Sequence, residues 1–437
     1  MRGEIGLKSF GLSRAGGPCY FACHSAFLPH LRGMAHRVFW QVPKLRHDEE
    51  CSRRRPVTWL ELFFDLVVMV AVATLSTKLA TEITWSGVGA FVIRFIPLFW
   101  YWTGLTYYRE RFETDGIEDR LTVLVSMLPF IGLAIFARDS TGATYAGYTL
   151  SYVMGRAFTL MLWIRAGMHN RRLFGPVARV YTRAFTLALG FGIASVFVAS
   201  PLRWWFFGAM MALDITGPLF AHKHNKRLPR VSTSKHPERF GIFALIVLGE
   251  TINGVVTGLT ALPQLDGTQI AGAGLGVLLG FSLWWIYFDF VGRRPFKAGA
   301  TVLYLWTYLH AALFMSIVAV GAGILNATKD ASAIMPTNLR WFIAGTLGIF
   351  LVVCGLLEIL LERRDDEPTH VRLSPGMKLA TGMLMPFAAF FAVNKYIWFF
   401  CFYPLLLVNM VYALWVWFTQ EVENIGEGEM QCPQDAE

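Results

Sequence analysis

Val57-Thr58-Trp-Leu-Glu61-Leu-Phe-Phe-Asp65-Leu-Val-Val-Met-Val-Ala-Val-Ala-Thr74-Leu-Ser-Thr-Lys78-Leu-Ala80 is the stretch whose reading decides the fold. It is almost continuously apolar and does not alternate, which disfavours a strand. A helix rises about 1.5 Å per residue, so a run this long crosses the roughly 30 Å hydrocarbon core of a bilayer. Eleven comparable runs follow it. The twelve span 57–80, 84–108, 119–138, 143–167, 178–199, 202–221, 238–261, 268–292, 300–324, 337–361, 376–393 and 395–418. The sequence therefore predicts an all-α, polytopic membrane helix bundle with about twelve transmembrane helices.

Composition agrees. Of 437 residues, 55% are hydrophobic and 16% charged, against roughly 25% charged in an ordinary soluble domain. That excludes a soluble globular protein, a disordered chain, collagen, a coiled coil and a disulfide-rich scaffold. The formal net charge of +9 lies in short loops between apolar runs. No basic stripe with interleaved aromatics is visible, so no nucleic-acid partner is expected; the lipid bilayer is the expected partner.

Basic residues gather in alternate loops: Arg53–Arg55, Arg109 and Arg111, Arg171 and Arg172, Lys223–Arg230, Arg293 with Arg294 and Lys297, and Arg363 with Arg364 and Arg372. The intervening loops hold Arg138, Arg203, Lys329 and little else. The positive-inside rule then puts the N-terminus in the cytoplasm, and an even helix count puts the C-terminus there too. Three regions follow: a basic N-terminal segment 1–56, a membrane domain 57–418 and an acidic tail 419–437. Met34 is an alternative start for the first region. The six cysteines form neither a disulfide framework nor a zinc site; Cys19-x3-Cys23-His24 is too slight a pattern for a metal. No cofactor or metal is expected.

Two parallel six-helix halves are suggested by a short internal match. Trp59-Leu-Glu61-Leu-Phe63 opens the first run and Pro237-Glu238-Arg239-Phe240 the seventh; Trp100-Tyr-Trp102 closes the second and Trp284-Trp-Ile-Tyr287 the eighth. Such repeats are common in transporters. Gly254 and Gly258, and Gly272, Gly276 and Gly280, repeat at four and read as helix-packing seams.

Ionisable residues inside membrane helices are costly and point to sites. Glu61 and Asp65, at i and i+4, share one helix face with Cβ atoms about 5–6 Å apart. Thr58-x-x-Glu61 is also a capping-box pattern, which leaves Glu61 an alternative, structural role. Asp65 lies too deep to cap. Glu250 falls near mid-membrane, with Asn253 at i+3 beside it. Asp214 and Asp289 fall in the cytoplasmic half, Asp289 near the interface. Arg156 and Arg94 are the expected partners of these acids, because a buried charge needs a counter-charge. His310 is a candidate proton relay. Glu238 and Arg239 mark the cytoplasmic mouth; Glu238 also suits a helix N-terminus. Glu358 is expected to snorkel to the interface, and Asp365-Asp366-Glu367 to be a solvated loop. No P-loop, GxGxxG, HExxH, nucleophile elbow or DDxxD motif is present.

Several motifs occur in order: Thr58-Trp-Leu-Glu-Leu-Phe-Phe-Asp65, Arg111-Phe-Glu-Thr-Asp115, His236-Pro-Glu-Arg-Phe-Gly-Ile-Phe243, Val247-Leu-Gly-Glu250 and Trp284-Trp-Ile-Tyr-Phe-Asp289. Together they resemble the low-temperature-requirement A (LtrA) family across about residues 56–418. Glu61, Asp65, Glu238, Arg239, Glu250 and Asp289 match family positions. Thr74 stands where the family often has Gln. The resemblance implies a bacterial multi-pass inner-membrane protein and names no substrate.

Two function classes follow from the residues. The leading one is a proton- or ion-coupled transporter of a small solute, with Asp65 and Glu250 exchanging protons or holding a cation and Arg156 as counter-ion. The second is a membrane enzyme acting on a lipid or isoprenoid, with Glu61 and Asp65 as an acid/base pair. A non-catalytic sensor or scaffold is a third. The sequence fixes neither the solute nor the oligomeric state.

Overall fold

A computed structural model describes residues 42–45, 57–113, 117–226, 228, 235–292, 294–329, 334–363 and 369–419. The Cys19–His24 pattern, Met34, the Asp365–Glu367 run and the tail beyond 419 lie outside the described residues.

Twelve main helices run in chain order: α1 Trp59–Thr81, α2 Trp85–Arg111, α3 Ile117–Phe136, α4 Tyr145–His169, α5 Gly175–Phe197, α6 Leu202–Phe220, α7 Lys235–Thr260, α8 Gly267–Phe290, α9 Ala300–Lys329, α10 Thr337–Leu360, α11 Leu373–Leu384 and α12 Lys395–Thr419. A single turn of helix, His222–Asn225, follows α6. Lys44–Leu45 pairs antiparallel with Phe112–Glu113 just beyond α2. The protein is a polytopic helical bundle, and nine of its described helices are long and apolar enough to cross a membrane. Helices α4 and α6 fall outside that nine; they carry Arg156 and Arg165, and Arg203 and Asp214, respectively.

Helix α11 corrects the sequence expectation of one continuous span over 376–393. It stops at Leu384, and Met385–Phe390 continues as a 3-10 segment. Pro386 lies at the start of that segment and has no N–H to extend the α-helical ladder. Twelve α-helical residues reach about 18 Å, short of the roughly 30 Å bilayer core, and α11 is not among the nine helices long and apolar enough to cross it. An isolated bridge from Asn394 to Ile334 ties the chain after this segment to the approach to α10.

The order of neighbours in the first six helices recurs in the last six. Helix α1 packs on α3, α3 on α4, α4 on α5 and α5 on α6, while α2 lies against α1 and α4. Likewise α7 packs on α9, α9 on α10, α10 on α11 and α11 on α12, while α8 lies against α7 and α10. The two sets meet where α1 touches α7 and α9. Helix α8 also packs on α9 and α12, contacts whose counterparts α2 does not make to a comparable extent, so the match to two six-helix halves is partial.

The closest crossing is between α7 and α9. A Cβ on Gly254 would stand 2.4 Å from the Gly321 carbonyl oxygen, and one on Gly321 would stand 2.8 Å from that of Glu250. The backbones touch because neither residue has a side chain, which maximises dispersion contact where lipid supplies no hydrophobic drive. Gly254→Val should therefore force the helices apart and lower stability by about 1–3 kcal/mol. Denaturant unfolding in detergent measures it; an unchanged midpoint would mean the crossing is not tight.

Candidate functional site

Glu61 with Asp65, Glu250, and Asp214 with Arg156 stand in three separate clusters. The first joins α1 to α7 at the end where both helices start. Thr58 caps α1 in a complete capping box with Glu61, so the structural role open in the sequence is realised. Glu61 does more than cap. Its Oε1 lies 3.0 Å from Arg239 Nη1, 3.5 Å from Lys235 Nζ and 3.5 Å from Arg109 Nε. One turn deeper, Asp65 is fully buried. Its Oδ1 accepts a 2.7 Å hydrogen bond from Trp102 Nε1 and a 3.3 Å bond from Arg239 Nη2. Its Oδ2 has no hydrogen-bond partner among the described residues. Arg239 thus spans both carboxylates. Lys235 and Arg239, at i and i+4, present one basic face of α7 to the acidic face of α1. Glu238 points away and is exposed.

The second cluster is Glu250, well along α7. It is buried, and Asn253 Nδ2 donates to it at 3.4 Å. The Ser76 hydroxyl of α1 is also in hydrogen-bonding reach. Asn253 itself is exposed on the outer side of α7 and receives a 3.3 Å bond from Thr257. Eleven residues separate Arg239 from Glu250 on α7 and Asp65 from Ser76 on α1, or about 16 Å along each axis. Asp65 and Glu250 therefore do not meet.

The third cluster is a charge pair bordering a cavity. Arg156 of α4 pairs with Asp214 of α6, and the Tyr152 hydroxyl donates to the other Asp214 oxygen. Trp100 Nε1 donates to the Asp214 backbone oxygen at 3.0 Å. Arg156 stacks on Phe185, its guanidinium carbon 4.5 Å from the ring centre. The cavity beside this pair measures about 500 Å³. It is walled by the last turns of α2, the middle of α4, the start of α5, the end of α6 and the start of α9. These segments converge on the face where α1 begins.

The remaining candidates lie elsewhere. His310 is buried in an aromatic stack with Trp306, Phe240 and Phe314. Its ring nitrogens face the Trp306 carbonyl at 2.8 Å and the Tyr287 hydroxyl at 3.3 Å, so it joins none of the acid clusters. Asp289 is exposed at the end of α8. Arg94 does not pair with an intramembrane acid as expected. Its guanidinium reaches toward the α3–α4 connection and donates to Ser140 Oγ at 2.7 Å and Thr141 Oγ1 at 3.2 Å. Glu358 does not snorkel. It is buried and accepts from Lys378 Nζ at 2.9 Å, with Arg294 at 3.6 Å. Lys378 also lies 3.2 Å from the Phe290 ring centre. Burial lowers the Arg294 pKa from its ordinary value, against the opposing pull of Glu358.

Sequence reading missed Lys235, Arg109, Trp102 and Tyr152 as partners. It also missed Lys378, whose signal was plain: a lone cation in an apolar run. His236 is a further omission. It is buried among Tyr107, Phe240 and Trp306 with neither ring nitrogen bonded among the described residues. Among the described residues no group of three His, Cys, Asp or Glu side chains stands close enough to hold a metal ion.

The fold and these buried charges define an integral, multi-pass membrane protein. Its sequence matches the family described as Bacterial low temperature requirement A protein over residues 56–418, and the chain belongs to that family. It is 25% identical over 371 residues to an uncharacterized protein of Rhizobium meliloti (strain 1021), an alignment covering 79% of this chain and 87% of that one. No solved structure matches it.

Proposed function

We propose that the protein is an ion-coupled transporter of a small solute, and that the solute occupies the cavity beside Arg156. The observation that carries this reading is the cavity itself: about 500 Å³, reaching from one face to a buried charge pair on the central part of α4. Carriers place solute sites near mid-membrane at the junction of helices from both halves. This cavity takes its walls from α2, α4, α5 and α6 of the first half and α9 of the second. The basic loops favour an inner-membrane protein with both termini cytoplasmic, so the cavity would open to the cytoplasm.

Glu250 is the coupling group in this reading. The hydrogen-bonding groups found beside it, Asn253 and Ser76, are neutral, and a carboxyl so placed gains and loses a proton without breaking an ion pair. Asp65 is less suited than the sequence suggested, because Arg239 and Trp102 hold it. The same bonds count against the enzyme reading, since neither Glu61 nor Asp65 lines the cavity.

The test is reconstitution into proteoliposomes with an imposed pH gradient and a panel of organic acids, amines, sugars and amino acids. At least one class should be taken up against its gradient. Glu250→Gln should fold normally, bind that solute and lose the dependence on the pH gradient. Full gradient-driven uptake by Glu250→Gln would remove Glu250 from coupling. Turnover of a lipid in detergent, where no second compartment exists, would replace the carrier by the enzyme.

A further inference from the structure

The cavity walls carry a consistent chemistry. Three cationic side chains line it, Arg111, Arg156 and Lys226, and no carboxylate stands among its described lining residues. Asp214 offsets one of these charges from behind Arg156, where it is buried. The rest of the wall is largely aromatic, with Trp100, Trp163 and Tyr304 among the rings.

Three buried polar atoms of lining residues have no hydrogen-bond partner among the described residues: Arg156 Nε, Thr103 Oγ1 and Asn225 Oδ1. Arg156 is only 4% exposed, as is Thr103. An unpaired buried donor is costly, so an occupant that accepts from it is favoured over one that does not. The guanidinium has room because residue 104 is glycine; a Cβ there would stand 2.5 Å from Arg156 Nη1. Asp214 takes one Nη2 bond, while Nε itself has no partner among the described residues and is left for a ligand.

We infer that this cavity binds an organic anion with a flat apolar body, the acid group meeting the Arg156 Nε edge and Thr103, and the body lying among the aromatic rings. The inference names the cargo class of the carrier proposed above, yet binding is read without transport. A planar guanidinium edge suits a carboxylate or sulfonate better than a spherical ion does. An organic cation would meet cationic side chains and no carboxylate among the described lining residues.

Isothermal titration of the detergent-purified full chain tests this with benzoate and indole-3-acetate against benzylamine and tryptamine, which match them in size. The acids should saturate one site with a Kd at least tenfold below that of the amines. Raising salt should weaken the acids most. Thr103→Val keeps side-chain shape and removes the hydroxyl, and should weaken acid binding several-fold. Arg111→Gln should do so as well, while leaving the fold intact. Equal binding of acids and amines, or no binding by either, overturns the inference. So does acid affinity unchanged in both variants. If the acids bind as expected but proteoliposomes do not move them, the anion site stands and the carrier reading falls.

Discussion

Arg239→Met should destabilise the protein by about 3–5 kcal/mol, the usual cost of removing one partner from a buried ion pair. The cost falls mainly on Asp65. Glu61 would retain Lys235, Arg109 and the Thr58 cap, and it sits at the helix start. Asp65 would retain the Trp102 bond, and its Oδ2 already lacks a hydrogen-bond partner among the described residues. A carboxylate so placed, one turn deeper and fully buried, has no route to water. Asp65→Asn in the Arg239→Met background should therefore recover part of the loss, because the amide carries no charge to compensate. Asp65→Asn alone should cost less than Arg239→Met, since Arg239 keeps Glu61 at 3.0 Å. Chemical unfolding of the four proteins in detergent gives the cycle, whose interaction energy for touching residues is about 0.5–3 kcal/mol. Strict additivity would show that Arg239 and Asp65 act independently, and that the α1–α7 bridge is not what holds these helices together.

Much of this site is legible in the sequence, and the boundary of legibility has a physical cause. Helix existence follows from bilayer thickness, so the apolar runs could be placed from local composition. The Glu61–Asp65 pairing follows from helical period alone, whereas Lys235 escapes notice because the helix begins three residues before the apolar run does. What joins the acidic face of α1 to the basic face of α7 is tertiary, and no spacing rule predicts that α1 lies beside α7. The same holds for Arg156 and Asp214, whose union depends on how α4, α5 and α6 fold back on one another. Arg94 illustrates the converse error. It lies inside an apolar run, yet its long side chain reaches the hydroxyls of Ser140 and Thr141 in a connection, so a position mid-sequence was not a position without polar neighbours. Glu358 erred the other way, because the lysine that buries it sits on α11, the helix broken at Leu384. The cavity left no sequence signal beyond a glycine at 104 between aromatic residues, which has meaning only once Arg156 is known to lie over it.

Arg156 and Asp214 allow stability and function to be separated. Asp214→Leu should cost about 3–5 kcal/mol, because it leaves the Arg156 guanidinium buried without its counter-charge and removes the acceptor of the Tyr152 hydroxyl. Arg156→Met should cost a similar amount for the opposite reason, leaving Asp214 with Tyr152 alone among its side-chain partners found here. The double variant removes both charges and fills the space with apolar atoms of similar length. Replacing a complete buried ion pair in this way is often neutral or even stabilising, so the double variant should unfold near the wild-type midpoint. It should nevertheless lose much of the preference for benzoate over benzylamine, because the guanidinium edge is gone and only Arg111 and Lys226 remain as cations on the described wall. A purely structural pair would give a different outcome: the double variant would recover both stability and the preference for acids. If instead the double variant is as unstable as either single one, the pair's geometry, rather than the balance of its charges, is what α4 and α6 need to pack.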